Sequence, residues 1–218
     1  MNLKLLAAII ALGSFWGFAE CLIGDWLRTF GLPAGALLTA IVAISLMAYS
    51  KTLFPTTHGV QFGMGLVAGS LRLTFPFGGC FICSAIAIMG EGLLFELIWT
   101  ALSKDLRQIQ SIPMQSCLGI ITGYVIFVGG YTITQILTPV LSTAGFDLSN
   151  LVAYTPQILA AGLLPAVIGA ITIPATLALR RVSVTLKDTT YYRITATTTV
   201  LCWCLVIGYT LILLNHLL

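Results

Sequence analysis

Charged residues are scarce in this chain. They make up 8% of its 218 residues, whereas 58% of the residues are apolar. Because a soluble domain averages about 25% charged residues, this composition excludes an ordinary soluble domain and indicates a protein that resides in lipid. A mean hydropathy of +1.03 agrees. We therefore expect an all-α fold, a polytopic membrane helical bundle that forms a single integral membrane domain over residues 1–218.

The chain also lacks the motifs of common soluble enzymes and of nucleic-acid-binding proteins. It contains no P-loop, no G-x-S-x-G and no H-E-x-x-H sequence. Its basic residues form no stripe that could follow a phosphate backbone, and their one cluster flanks predicted membrane helices, as juxtamembrane anchors do. We predict the lipid bilayer and a small-molecule solute as partners, no nucleic acid, no cofactor and no metal. No residue is assigned a catalytic role.

Hydropathy predicts seven candidate transmembrane helices of roughly the 17–25 residues that a span needs. They cover residues 3–23, 32–50, 59–74, 79–102, 115–139, 156–179 and 195–217. The third is short and rich in glycine, and Pro76 ends it. It either spans the membrane or forms a re-entrant segment, which would leave six spans.

The basic residues predict the orientation of the bundle. With seven spans, one side of the membrane holds eight of them, and the other side holds Arg28 with Arg72 close to it. The eight are Lys4, Lys51, Lys104, Arg107, Arg180, Arg181, Lys187 and Arg193. Cytoplasmic loops carry an excess of Lys and Arg. The N-terminus is therefore predicted to be cytoplasmic, the C-terminus external, and the membrane the cytoplasmic one.

Apart from Lys4 at the very start of the first predicted span, four charged residues lie inside predicted spans, namely Glu20, Arg72, Glu91 and Glu96. A charge at the bilayer centre is costly, so such groups usually line a cavity, pair or bind something. Glu20 and Arg72 lie at similar depth near the outer face and could pair, while Glu91 is predicted to form a deeper pocket floor. Trp16, one turn before Glu20, could form an aromatic wall that stacks against a ligand. Glu96 is rotated about 140° from Glu91 and could contact another helix. The alternative is a structural ion pair, or protonated carboxyls, inside a dry bundle.

The cysteines open a second possibility. Cys80 and Cys83 form a C-x-x-C sequence at the outer start of the fourth predicted span, and Cys21 ends the first span at similar depth. A helix N-terminus favours the reactive thiolate, and the arrangement loosely resembles quinone-linked membrane thiol oxidases. Free cysteine in an apolar helix can equally be a small hydrophobic residue.

Four sequence stretches in the first hundred residues carry a family resemblance. They are Trp16-Gly17-x-x-Glu20, Leu32-Pro33-Ala34-Gly35, Ala68-Gly69-Ser70-Leu71-Arg72-Leu73 with Pro76, and Ala85-Ile86-Ala87-Ile88-Met89-Gly90-Glu91-Gly92. They resemble uncharacterised prokaryotic membrane proteins that are similar to the substrate-binding S components of energy-coupling-factor (ECF) transporters. The resemblance implies a pocket toward the outer face, and docking of Ala7 and Ala11 on a transmembrane coupling subunit that works with ATPases. S components typically have six spans, whereas seven are predicted here.

These observations favour a membrane component that binds a small polar or zwitterionic solute, such as a vitamin-like nutrient, with energy supplied by partner subunits. The predicted binding residues are Glu20, Arg72, Glu91, Trp16 and Glu96. Two alternatives stay open. One is a membrane thiol–disulfide or quinone oxidoreductase that uses Cys80 and Cys83, and the other is a structural subunit of a membrane complex.

Overall fold

The described part of the chain is helical. A computed structural model of the protein describes residues 3–101, 109–141, 148–179 and 187–217, and these contain helices and no strand. The helices are α1 (Leu3–Thr29), α2 (Ala34–Leu53), α3 (Val60–Leu73), α4 (Phe81–Ala101), α5 (Ile112–Leu141), α6 (Leu148–Ala161), α7 (Leu163–Leu179) and α8 (Asp188–Leu217). The predicted all-α class is confirmed.

Six helical segments within the described ranges are long and apolar enough to cross a membrane. They are α1, α2, α4, α5, α8 and the segment Leu151–Ala178, which joins α6 and α7 across Gly162. The chain is therefore a multi-pass membrane protein, as its composition predicts. The remaining helix, α3, has 14 residues, and at 1.5 Å per residue it extends about 21 Å.

Contacts between α1 and α3 show the direction in which α3 runs. A Cβ added at Gly13 would lie 2.7 Å from the carbonyl oxygen of Met64, and one at Gly17 would lie 2.8 Å from that of Ala68. Residue numbers increase together along both helices, so α1 and α3 are parallel. Since small residues allow membrane helices to approach closely, these two glycines position α3 deep in the bundle.

The next helix, α4, returns along α3 in the opposite direction. The backbone N–H of Gln61 donates to the carboxylate of Glu96 at 3.0 Å, whereas Gly69 near the other end of α3 lies against Ala85. A re-entrant α3 would bring the chain back to the side it started from. Instead α3 carries the chain from one end of the bundle to the other, so the structure favours the spanning alternative.

The last helix, α8, runs parallel to α1. Near the start of both helices, Lys4 pairs with Asp188 at 2.7 Å. Further along, the indole N–H of Trp203 donates to the hydroxyl of Ser14 at 3.0 Å. This arrangement fits seven crossings of the bundle. Of the eight basic residues predicted on the N-terminal side, Lys104, Arg107, Arg180 and Arg181 lie outside the described residues.

Helix α8 packs against the α1 face that is expected to dock on a coupling subunit. Ala7 and Ala11 lie on the same helical face as Lys4 and Ser14, because positions three and four apart share a face. That face packs against α8, and Ala11 is only 6% exposed. Ala11 is therefore buried beneath α8, whereas Ala7 is half-buried.

Two π-helical turns interrupt α1 and α2, at Ala19–Ile23 and Thr39–Ala43. In α1 the backbone N–H of Gly24 donates to the carbonyl of Ala19, five residues earlier. In α2 the N–H of Ile44 donates to Thr39 in the same way. Single π turns inside α-helices are frequent at functional sites, and these two lie beside the same cavity.

Candidate functional site

A cavity of about 570 Å³ opens at the end of the bundle opposite the N-terminus. It is enclosed by α1, α2, α4, α5 and α6, together with the connector between α3 and α4. Its volume falls in the range of about 300–1,000 Å³ that small-molecule sites occupy. The ionisable side chains on its wall include Glu20, Arg28 and Glu91, and its uncharged polar side chains include Thr39, Gln135 and Gln157.

Glu91 lies in the middle of α4 and is 4% exposed. One of its carboxylate oxygens accepts a hydrogen bond from the hydroxyl of Thr39 at 2.8 Å. The other is buried and has no hydrogen-bond partner among the described residues. A Cβ at Gly130 of α5 would lie 3.0 Å from Cγ of Glu91, so this glycine makes room for the side chain. Glu91 thus carries an unsatisfied acceptor at the cavity wall.

Glu20 enters the cavity wall from the π turn of α1. Its carboxylate accepts a hydrogen bond from the indole N–H of Trp16, one turn earlier, over a long 3.4 Å. Trp16 itself is completely buried in the core of the bundle. It orients Glu20 from behind and is not one of the cavity-lining residues, so the expected aromatic wall is not formed by this residue.

Arg28 supplies the positive charge of the cavity. Its Nη1 atom is buried without a hydrogen-bond partner in the described structure, and it lies close to Gly78 at the cavity mouth. The predicted first span ends at residue 23, so the sequence predicts Arg28 in the outer connector that follows it. One feature of the sequence does point to Arg28 as a cavity residue. It lies eight positions after Glu20, and residues eight apart lie near one face of a helix.

Arg72 has a different place from the one predicted. It is completely buried and donates to the carbonyl groups of Phe75 and Phe77, the latter at 2.9 Å. Its guanidinium also lies 5.5 Å from the centre of the Phe75 ring. Arg72 therefore secures the chain after α3. It does not line the cavity, and the predicted pairing with Glu20 is absent from the described ion pairs.

Glu96 belongs to a separate polar cluster at the N-terminal end of the bundle. It accepts a hydrogen bond from the backbone N–H of Gln61 at 3.0 Å and lies 4.0 Å from Nδ1 of His58. The side-chain amide of Gln61 donates to the hydroxyl of Ser50 at 2.9 Å. As its rotation from Glu91 indicates, Glu96 contacts another helix and lies outside the cavity wall.

The three outer cysteines divide into a pair and a single residue. Cys80 and Cys83 form a disulfide, and both line the cavity. Cys21 is buried and free, with its sulfur 3.9 Å from the carbonyl oxygen of Leu71, and it is not a lining residue. The structure therefore brings together the C-x-x-C pair with Glu20 and Glu91, but leaves Cys21 apart from them.

The cavity combines carboxylates at depth with a guanidinium at its mouth. Aromatic and amide side chains, among them Tyr131, Tyr154 and Gln157, complete the wall. Such a set can hold a cationic group beside the carboxylates and an anionic group beside Arg28. The chain matches no model of a known protein family, and no curated protein or solved structure gives a significant match.

Proposed function

We propose that this protein is the solute-binding membrane component of a transport system for a small zwitterionic molecule. Its positively charged group would lie beside Glu91 and Glu20, and its negatively charged group beside Arg28. The observation that supports the proposal most is the buried oxygen of Glu91, which has no partner among the described residues and belongs to a cavity-lining side chain.

Electrostatics explains why a ligand fits this cavity. Burying a charge is expensive unless another charge or a proton compensates it. None of the described ion pairs involves Glu20, Arg28 or Glu91. A zwitterion would supply opposite charges at both ends of the site, and so compensate the carboxylates and the guanidinium together.

The transport direction and the energy source belong to the same proposal. The positive-inside rule would place the cavity mouth on the external side of the cytoplasmic membrane. The chain carries no P-loop, so energy would come from partner ATPases through a coupling subunit, as in ECF transporters. Because α8 packs against the face of α1 that carries Ala7 and Ala11, that subunit would have to contact a different surface from the one the resemblance implies.

Ligand screening on the purified protein tests this proposal. Native mass spectrometry would identify a co-purifying solute, and thermal-shift screening with amino acids and zwitterionic vitamins would find others. Each charge-assisted hydrogen bond is worth about 1.5–3 kcal/mol, so Glu91→Gln and Arg28→Gln should each weaken binding by about 10- to 100-fold. Arg193→Gln, an exposed residue near the start of α8, is the matched control and should bind normally.

Two results would count against the proposal. If Glu91→Gln and Arg28→Gln both keep the affinity of the unmodified protein, the solute does not occupy this cavity. If no zwitterion stabilises the protein and no small molecule co-purifies with it, the result favours the alternative that the protein is a structural subunit of a membrane complex. Quinone-dependent oxidation of added thiols by the purified protein would instead support the oxidoreductase alternative.

A further inference from the structure

The Cys80–Cys83 disulfide occupies a reactive position in the fold. Cys80 directly precedes α4, and its carbonyl accepts the N–H of Ser84 at 3.0 Å, as the N-cap residue of a helix does. The backbone N–H of Cys83 donates to the sulfur of Cys80 at 3.2 Å. Both the helix N-terminus and this N–H group favour a negative charge on that sulfur.

The same disulfide forms part of the cavity wall. Cys80, Cys83, Ala87 and Glu91 all line the cavity, because their spacing of three or four residues places them on one face of α4. Cys80 lies about 16 Å along the helix from Glu91, so the disulfide is at the mouth and the carboxylate is at depth. Cys80 is exposed and can be reached by a thiol from outside the bundle.

The connector that precedes the disulfide packs against Arg28, the cation of the cavity wall. Gly78 and Gly79 both adopt left-handed backbone conformations, with φ of 76° and 94°. A Cβ at Gly78 would lie 2.5 Å from Nη1 of Arg28 and 3.0 Å from a carboxylate oxygen of Asp25. The disulfide ties the end of this glycine connector to the first turn of α4. Opening it would release the connector beside Arg28.

We propose that Cys80 and Cys83 are a thiol–disulfide exchange site that controls the mouth of the cavity. One thiol of an external dithiol would lose its proton to water and attack the sulfur of Cys80, forming a mixed disulfide there and releasing Cys83, which takes a proton from water. The second thiol of the reductant would then displace Cys80 in the same way, and Cys80 would also take up a proton. Two electrons pass from the dithiol, which becomes a disulfide, to the cysteine pair. This proposal depends on the cavity wall and not on transport.

Counting reactive thiols tests the proposal. The chain has six cysteines, of which Cys21, Cys117, Cys202 and Cys204 are free. When intact cells are treated with a maleimide and the protein is then denatured in the same reagent, so that buried thiols also react, each molecule should therefore carry four labels. Treating the native protein with dithiothreitol before trapping should raise the number to six. The variant with Cys80→Ser and Cys83→Ser should carry four labels in both cases.

The coupling to the cavity is tested by the rate of this reduction. Arg28→Gln removes the cation beside the connector and should slow reduction of the disulfide by dithiothreitol severalfold. Arg28→Lys keeps a positive charge and should restore much of this rate. Arg193→Gln is the control and should leave the rate unchanged. Two results would contradict the exchange site. One is six labels on protein that has not been treated with a reductant. The other is four labels after reduction of the native protein, with the last two cysteines becoming reducible only when the protein is unfolded. An unchanged rate in Arg28→Gln would overturn its coupling to the cavity.

Discussion

The contact between α5 and α7 gives a direct test of the packing that supports the cavity. Gly119 of α5 lies against the backbone of α7. A Cβ at Gly119 would overlap the carbonyl oxygen of Gly169, and would lie 2.6 Å from its carbonyl carbon and 3.1 Å from Cα of Ala170. Because these are backbone atoms, no side-chain rotation can relieve the overlap. In Gly119→Ala, α5 and α7 must move apart.

The expected cost follows from this geometry. Overpacking a well-packed core costs about 1–3 kcal/mol, and a collision with backbone places Gly119→Ala at the upper end, about 3 kcal/mol. For a chain of this size such a loss lowers Tm by about 6–12 °C. Since α5 also contributes Tyr131 and Gln135 to the cavity wall, the affinity for the proposed solute should fall as well.

Thermal unfolding of the detergent-purified protein, followed by circular dichroism, measures the effect. Gly208→Ala is the matched control, because a Cβ at Gly208 of α8 would meet nothing within 4 Å, and alanine favours the helix more than glycine does. Its Tm should stay unchanged or rise. If Gly119→Ala and Gly208→Ala unfold at the same temperature, the close approach of α5 and α7 is wrong.

Three further substitutions test single contacts. Thr39→Val removes the donor to Glu91 and should lower the free energy of unfolding by about 1–3 kcal/mol, whereas Thr39→Ser keeps the hydroxyl and should not. Equal melting temperatures of these two variants would contradict this hydrogen bond. Arg72→Met should lower Tm but leave the affinity for the proposed solute unchanged. A large loss of affinity with an unchanged Tm would indicate that Arg72 binds the solute. Trp203→Phe removes the bond to Ser14, worth about 1 kcal/mol, and should make α8 more accessible to proteases in limited digestion; unchanged digestion would count against that contact.

Within the described residues, hydropathy predicts the membrane-crossing segments but not all of the helix ends. Apolar runs long enough to cross lipid have few alternatives to a helix, because every backbone polar group must be satisfied internally. The predicted first span stops at residue 23, whereas α1 continues to Thr29. Asp25 and Arg28 reduce the hydropathy there without ending the helix. Arg28 was therefore overlooked as a cavity residue.

Depth along a helix is easier to predict than the direction of a side chain. Glu20 and Arg72 do lie toward the same end of the bundle, but Arg72 donates to carbonyls of its own connector and forms no ion pair with a carboxylate of the described residues. The placement of Thr39 beside Glu91 joins residues 52 positions apart and depends on how the whole bundle positions α2 relative to α4. No local sequence pattern carries that information.

The π turns of α1 and α2 allow each helix to hold an additional residue beside the cavity. A π turn contains about one more residue than a turn of the surrounding α-helix, so the residues that follow it keep the direction they would have in a regular helix one residue shorter. In α1 this turn contains Glu20 and precedes Arg28. Deleting Leu22 would therefore restore a regular helix in which Arg28 still faces the cavity, while the wider turn at Glu20 would be lost. The shape of the wall around the carboxylate can thus change in evolution without displacing the guanidinium.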